Sequence, residues 1–514
     1  MNRTIRLLPA FLTVGVWTLA SRILGLIRDI VFAALLGTTA AGEAFYVAFT
    51  LPNMFRRLFA EGAFSMAFVP MFSKKLERGE DAEAFAQEAL SGLAALVIAL
   101  TLIAQLFMPW LVLALASGFA GDERFDLATD FGRIAFPYII FISLAALASG
   151  VLQATGRFAA AAAAPVLLNI LFIAGMLFAH VTGAEVAKIL VWCVPLAGMA
   201  QFALVWVAAN RAGVRLVPKI PRLTPEMKRL AIIAAPAALA GGVVQINLLV
   251  GRQVASYFEH AVGWLFLADR LYQLPLGLVG VAIGVVLLPD LSRRLGAGDR
   301  AGGIAAINRA TEFSMALTLP ATVALIAIPV PLISVMFERG VFTPADTQAT
   351  ALAVAIYGAG LPAFVLQKIL SPVFFAREDT KTPFYYALVS MLVNVVVAIG
   401  LAPFVGFWAA ALGTTVAGWA MCALLWRGAT RLDGAIQIDE RLRRVAPRIV
   451  AASLIMGVVI LGLSVALQTM LTTPTWRYLA LALIVGAGGL TYAAAAIGLK
   501  AVSVADLRAS MSRR

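Results

Sequence analysis

The sequence predicts an all-α polytopic membrane protein of about fourteen transmembrane helices, arranged as two six-helix lobes related by a parallel repeat plus two C-terminal helices. Three observations predict it. A mean hydropathy of +0.93, with 62% hydrophobic and 13% charged residues among 514, leaves too little polar surface to cover a core in water. Apolar runs of about 20 residues, the length an α-helix needs to cross about 30 Å of hydrocarbon, recur from end to end. The basic residues fall in alternate loops between those runs.

Helices are the building unit because backbone polar groups in lipid must be satisfied within the segment. Spans are expected near 11–36, 44–72, 87–116, 131–155, 159–180, 185–209, 228–256, 262–290, 304–336, 347–375, 383–403, 406–427, 445–470 and 476–498. The first run is too long and too charged for a cleaved signal sequence, and no small-x-small site follows a compact apolar core, so it is read as span one. With the N-terminus inside, the inner loops hold in turn Lys74, Lys75 and Arg78, then Arg157, then Arg211 to Arg229, then Arg293, Arg294 and Arg300. They continue with Arg377 and Lys381, the block Arg427 to Arg448, and a tail with Lys500, Arg508, Arg513 and Arg514. The outer loops hold Arg124, Arg339 and Arg477 and little else basic. Lys and Arg favour the cytoplasmic side, so the alternation supports an even count with both termini cytoplasmic. The net charge of +13 and pI near 10.1 follow mostly from these loops. No aromatic-basic interleaving accompanies them, which argues against nucleic acid as a partner.

The chain repeats itself. "VPMFSKKLERGE" at 69–80 matches "LPDLSRRLGAGD" at 288–299, and Pro137 and Asn169 correspond to Pro362 and Asn394, at an offset of about 220 residues. Each unit contains an even number of spans, so the two halves share one orientation in the membrane. The expected divisions are 1–215 for the N-lobe, 216–432 for the C-lobe, and 433–514 for two extra helices and the tail.

Several spans carry charge. Arg133, Lys188, Arg252 and Arg309 sit near span ends, where long side chains snorkel to the headgroups. Arg22, Arg28, Arg56, Arg57, Arg270 and Lys368 sit deeper, and an arginine at the bilayer centre costs about 2.5–3.5 kcal/mol on insertion scales, which implies water, a counter-ion or a ligand. Ser21, Gly25 and Arg28 share one stripe of span one, where the small residues permit a bend, and Arg22 shares the neighbouring stripe with Asp29. In span two Arg57 lies one turn before Glu61, whereas Arg56 shares its face with Asn53. In span eight Asp269 and Gln273 share a face, with Arg270 beside them. The cations outnumber Asp29, Glu61 and Asp269, and forked guanidinium groups suit phosphate oxygens. Fixed interhelical salt bridges are the competing reading of the same residues.

"SRILGLIRD", "EAFYVAFTLPNMFRRLFAEGAFSMAFVP", "ADRLYQLPLGLVGVAIGVVLLP" and "REDTKTP" resemble the MurJ/MviN family of lipid II flippases, within the multidrug/oligosaccharidyl-lipid/polysaccharide exporter superfamily. The resemblance covers essentially the whole chain. It implies an inner-membrane transporter, not an enzyme, that moves the polyprenyl-pyrophosphate-linked peptidoglycan precursor by alternating access. Its partners would be lipid II, membrane lipids and the cell-wall synthesis machinery. Arg22, Arg28, Asp29, Arg56 and Arg270 match positions that engage the headgroup, and Glu43, Glu61 and Lys368 match supporting positions. Ser21, Gly25, Asn53, Asp269 and Gln273 flank them. The two extra helices look like a track for the lipid tail. Glu43 stands where aspartate is familiar, and Gln273 where some relatives carry glutamate.

No cofactor and no metal site is expected, and coupling to an ion or to the membrane potential stays open. Moving a charge across the membrane is worth about 2.3 kcal/mol per 100 mV. A multidrug exporter of cations would need an acidic surplus, which the spans lack. A flippase for another polyprenyl-linked oligosaccharide stays open on charge alone. An enzyme would need convergent carboxylates with a metal, or a nucleophile with its base; His180 and His260, at outer ends of spans, and Cys193 and Cys422, in separate apolar spans, form no such set.

Overall fold

The computed structural model describes residues 7–57, 64–432 and 436–501, and every regular element among them is helical. Ten helical segments among the described residues are long and apolar enough to cross a membrane. They coincide with ten of the expected spans; helices also cover the described parts of 11–36, 44–72, 228–256 and 262–290. By packing, the chain divides into two compact units: Met1–Gly263 with Arg339–Phe342, and Trp264–Glu338 with Thr343–Arg514.

The first unit contains α1 (Leu7–Leu35), α2 (Ala40–Arg56), α3 (Ser65–Arg78), α4 (Ala82–Leu106), α5 (Met108–Ala116), α6 (Glu123–Ala135), α7 (Tyr138–Ala154), α8 (Ala159–Thr182), α9 (Val186–Arg211) and α10 (Pro225–Ser256). Side-chain caps fix four of the starts. Thr39 accepts from the Gly42 N–H, Asp81 from Ala84, Asp122 from Arg124 and Thr224 from Met227, each satisfying a donor that the first turn leaves without a helical partner. Pro225 then opens α10 where a missing N–H costs nothing. Between α3 and α4 the rings of Phe64, Phe72 and Phe85 each stack on Phe68, with centroids 5.5 to 5.6 Å apart. They pack on Leu147, Val151 and Leu152 of α7.

Span three, expected as one run, is two helices. The chain breaks at Phe107, and Pro109 sits in the first turn of α5, where its ring could not continue the preceding helix. Span four begins earlier than expected and breaks at Phe136–Pro137 between α6 and α7. That early start corrects the outer-loop position expected for Arg124. The residue lies in the first turn of α6 and is buried, because Asp122 caps the helix and Glu43 of α2 draws the guanidinium inward.

The second unit runs through α11 (Ala261–Gly296), whose first three residues pack with the first unit, and α12 (Arg300–Ala327), α13 (Pro329–Phe337) and α14 (Pro344–Phe375). It continues with α15 (Lys381–Val405), α16 (Trp408–Thr430), α17 (Glu440–Ala466), α18 (Gln468–Thr472) and α19 (Arg477–Gly498). The devices of the first unit recur about 220 residues on. Gly79 and Gly298 both take the left-handed conformation, at φ 68° and 72°, just before an aspartate cap, Asp81 or Asp299. The break at Phe107 has its counterpart at Ile328, again followed by a proline. Span nine is therefore also two helices, α12 and α13. The extra helices pack through small residues: a Cβ on Gly457 of α17 would lie 2.5 Å from Val323 of α12, and one on Gly488 of α19 would lie 2.6 Å from Ile460 of α17. At the start of α17 Asp439 pairs with Arg309, and Glu312 with Arg309 and Arg441. Burial pushes the Asp439 carboxyl up, but the Leu442 N–H and the Arg309 guanidinium outweigh it and hold the group below its ordinary range. Arg309, expected to snorkel, is thus pinned in a network.

The turn after α5 docks on the end of α10, which is why α10 packs with the first unit. Ser117 N–H donates to Gln253 Oε1 at 2.8 Å and Gly118 N–H to Ser256 Oγ at 3.0 Å. A Cβ on Gly118 would stand 2.4 to 2.5 Å from backbone atoms of Ser256 and Tyr257. Gly118→Ala should therefore cost about 1–3 kcal/mol, since backbone cannot yield as a flexible side chain does. Thermal unfolding in detergent checks it against Gly462→Ala, where a Cβ meets nothing within 4 Å.

Candidate functional site

In the first unit α1 runs unbroken through Ser21 and Gly25. The small stripe admits a side chain from α8. The Asn169 amide, 5% exposed, donates from Nδ2 to the Ser21 carbonyl at 3.0 Å and accepts from Arg28 Nη1 at 3.1 Å. It so ties together two points of α1 that are two turns apart. Gly25 lies between them, where a Cβ would be in ordinary contact with the same amide at 3.8 Å.

Arg28 is half-buried and Asp29 buried. Arg28 donates from Nε and Nη2 to one oxygen of Asp29, at 3.0 and 2.6 Å. The ring of Phe172, one turn beyond Asn169, lies 6.0 Å from the guanidinium carbon. Of the five guanidinium N–H groups three are taken, leaving one on each terminal nitrogen without a partner among the described residues. The pair is close to neutral as a unit, yet it keeps a donor edge of the width a phosphate accepts. Arg22 is exposed and has no partner among the described residues. Of the two arginines on offer, Asp29 holds Arg28. On α2, Asn53 does share a face with Arg56 and accepts from its Nε at 3.3 Å. Glu61 lies outside the described residues.

Glu43 is remote from that cluster in its bonding. It is 1% exposed and uses both oxygens: Oε1 accepts from the backbone N–H groups of Val262 and Gly263 at 2.9 and 3.3 Å, and Oε2 from Arg124 Nη1 at 2.9 Å. Arg124 also bonds Asp122 at 2.6 Å. Burial raises the Asp122 carboxyl, but the backbone N–H and guanidinium of Arg124 outweigh it and hold Asp122 below its ordinary range. Nearby, His260 Nδ1 meets the Thr38 carbonyl at 2.6 Å and Val341 N–H donates to Ala34 O at 3.1 Å. Glu43 is thus a bracket that holds the α1–α2 turn to the segment entering α11.

In the second unit Gln273 Nε2 donates to Asp269, one turn away on α11. Arg270 is half-buried, with Phe266 4.7 Å from its guanidinium carbon to the ring centroid. Tyr272 packs between Tyr357 and Phe364 of α14 at 5.1 and 5.7 Å. Lys368 of α14 is exposed, without a partner among the described residues. The structure therefore brings together Arg28 with Asp29, Arg56 with Asn53, and Asp269 with Gln273, and leaves Arg22 and Lys368 apart. Sequence reasoning missed Asn169 and Phe172 as partners of Arg28, although a lone asparagine in the apolar run "PVLLNILF" was a visible signal. Arg124 as the partner of Glu43 had no such signal.

Long apolar helices, a twice-used set of breaks and caps, and cations placed within the spans define a polytopic helical transporter. The solved structure of an inward-facing multidrug transporter of the exporter superfamily has the same fold, with a TM-score of 0.67 at 15% identity over 81% of this chain and 95% of that one. A family model described as lipid II flippase MurJ matches residues 32–481, and the chain belongs to that family. A probable lipid II flippase MurJ of Rhizobium meliloti is 44% identical over 99% of this chain and 96% of its own. One from Vibrio cholerae is 34% identical, covering 98% of both. The solved structure of lipid II flippase MurJ in an inward closed conformation superimposes with a TM-score of 0.78 at 26% identity, over 95% of this chain and 98% of that one.

Proposed function

We propose that this chain carries lipid II from the cytoplasmic to the periplasmic leaflet of the bacterial inner membrane by alternating access, with both termini in the cytoplasm. The observation that carries the reading is Arg28, neutralised by one carboxylate yet keeping an N–H on each terminal nitrogen, with the exposed Arg22 six residues before it on α1. A pyrophosphate would take those N–H groups and compete with Asp29 for the rest. Arg56 of the same unit, beside Asn53, supplies further charge for that headgroup; within the second unit Arg270 and Lys368 are the cations assigned to substrate, with Gln273 bonded to Asp269. The two repeat lobes are the moving parts, with α10 going with the first unit, on which it packs. The aliphatic faces of α17 and α19, including Leu454, Val458, Leu461 and Leu490, would carry the polyprenyl tail. Ligand shifts the two openings only by its differential affinity for them.

The test is appearance of labelled lipid II at the outer leaflet in cells depleted of the chain. It should stop on depletion and return with the wild type, but not with Arg22→Ala or Arg56→Ala variants that reach the membrane at normal levels. Undiminished lipid II flipping after depletion, with loss of another polyprenyl-linked sugar instead, would assign the chain to a different substrate.

A further inference from the structure

The segment joining α9 to α10, residues 212–224, is an extended strap held by its backbone. Leu216 N–H donates to Asn210 Oδ1 at 3.1 Å and Leu216 O accepts from Trp206 Nε1 at 2.8 Å. Arg215 O accepts from Gln87 Nε2 at 2.6 Å, Lys219 N–H donates to Ser91 Oγ at 2.8 Å, and Thr224 Oγ1 donates to Glu88 at 3.0 Å. Pro218 and Pro221 keep it from winding into a helix. Val214 and Leu216 are buried against the unit, while Val217, Ile220 and Leu223 stand 53%, 80% and 76% exposed. Between them Arg215, Lys219 and Arg222 are exposed, and the strap contains no acid.

The anchor points set its depth. From Ala89 to Leu106 α4 is almost wholly apolar, a length of about 27 Å at 1.5 Å per residue, close to the hydrocarbon thickness of about 30 Å. Gln87, Glu88 and Ser91 therefore lie where headgroups meet acyl chains, and so does the backbone they hold. Side chains that alternate between basic and aliphatic at that level meet the two demands of an anionic leaflet: phosphates attract the cations, and the acyl boundary takes the aliphatics.

The second unit offers an internal contrast. The segment after α16 is held at the matching place on α12, with Asn308 donating to Gln437 O at 2.8 Å and accepting from Asp439 N–H at 3.3 Å. Yet that segment carries Asp433 and Asp439 and exposes one large aliphatic, Ile438, at 46%. Same placement, different outward chemistry: the acid-free alternation belongs to the first strap alone.

We propose that residues 212–224 form a docking surface for anionic phospholipid, with Ile220 and Leu223 entering the acyl boundary and Arg215, Lys219 and Arg222 binding headgroup phosphates. The test uses the full-length chain with a nitroxide label on Ile220→Cys, and separately on Leu223→Cys, in phosphatidylcholine vesicles with or without phosphatidylglycerol. Cys193 and Cys422 are buried, and the unsubstituted chain gives the labelling background. Oxygen should relax the label more than a water-soluble nickel complex does, and phosphatidylglycerol should move it deeper. Arg215→Gln with Lys219→Gln and Arg222→Gln should lose that phosphatidylglycerol shift, and a label on Gln437→Cys should stay open to nickel in both lipids. Nickel-dominated relaxation at 220 and 223 with phosphatidylglycerol present would overturn the proposal. Shielding from both reagents would overturn it too, since a protein surface would then cover the strap. A shift that survives in the neutral variant would remove the headgroup role.

Discussion

Exchanging Arg28 for alanine together with Asp29 for asparagine should abolish delivery of lipid II to the outer leaflet while leaving the chain folded. The double exchange is the informative one. Arg28→Ala alone strands a buried carboxylate, and breaking a buried pair from one side costs about 3–5 kcal/mol, so lost flipping could reflect lost folding. With both charges gone the cluster keeps the Asn169 bond to Ser21 but loses the donor edge together with the Arg28 bond to Asn169 Oδ1. Arg28→Lys separates charge from shape: it keeps the cation but cannot present two parallel N–H groups. Loss of one charge-assisted hydrogen bond is worth about 1.5–3 kcal/mol, roughly a tenfold to 150-fold weaker hold on the headgroup at 1.4 kcal/mol per tenfold. The same outer-leaflet measurement, normalised to the amount of protein in the membrane, decides. Normal flipping by the Arg28→Ala, Asp29→Asn chain would remove Arg28 from the site.

The second large effect concerns stability. Glu43→Gln should lower stability by on the order of 3 kcal/mol, because its new NH₂ would face the Arg124 guanidinium, a donor against donors, in a place with almost no water. Asp122 still pairs with Arg124, which keeps the loss at the lower end of the buried-pair range. Glu43→Gln with Arg124→Met should recover much of it, since removing both charges of a buried pair is often close to neutral. The readout is thermal unfolding of the purified chain in detergent. A Glu43→Gln chain as stable as the wild type would show that the bracket contributes nothing to the fold.

The departures from the sequence reading share a cause. Proline and glycine mark breaks only where the surrounding packing lets the chain turn. Pro109 and Pro329 end helices, yet Pro195 and Pro403 lie within unbroken ones. Arg124 read as a loop residue because Asp122, Glu123, Asp126 and Asp130 interrupt the apolar pattern around it, and nothing local reveals that Glu43, 81 positions earlier, would bury it. Arg309 read as a snorkelling residue for the same reason: Asp439 is 130 positions away. Within single helices the reading was closer. Asn53 with Arg56 and Asp269 with Gln273 lie three and four residues apart, so helical spacing alone places each pair on one face.

Hydropathy, the loop charges and the repeat by themselves determined that this is a helical protein of the membrane, made of two like halves with cations set inside its spans. Those are properties of composition and period, which every stretch of chain carries locally. Which cation is matched by an acid or an amide, and which is not, was decided only by tertiary packing. Asp29 could have served Arg22 or Arg28 by spacing. Asn169, arriving from α8, takes Arg28 Nη1 and ties the guanidinium into the cluster where Asp29 holds its other edge. The approach of Asn169 depends on distances of a few ångströms between helices, and no periodicity along one helix encodes them.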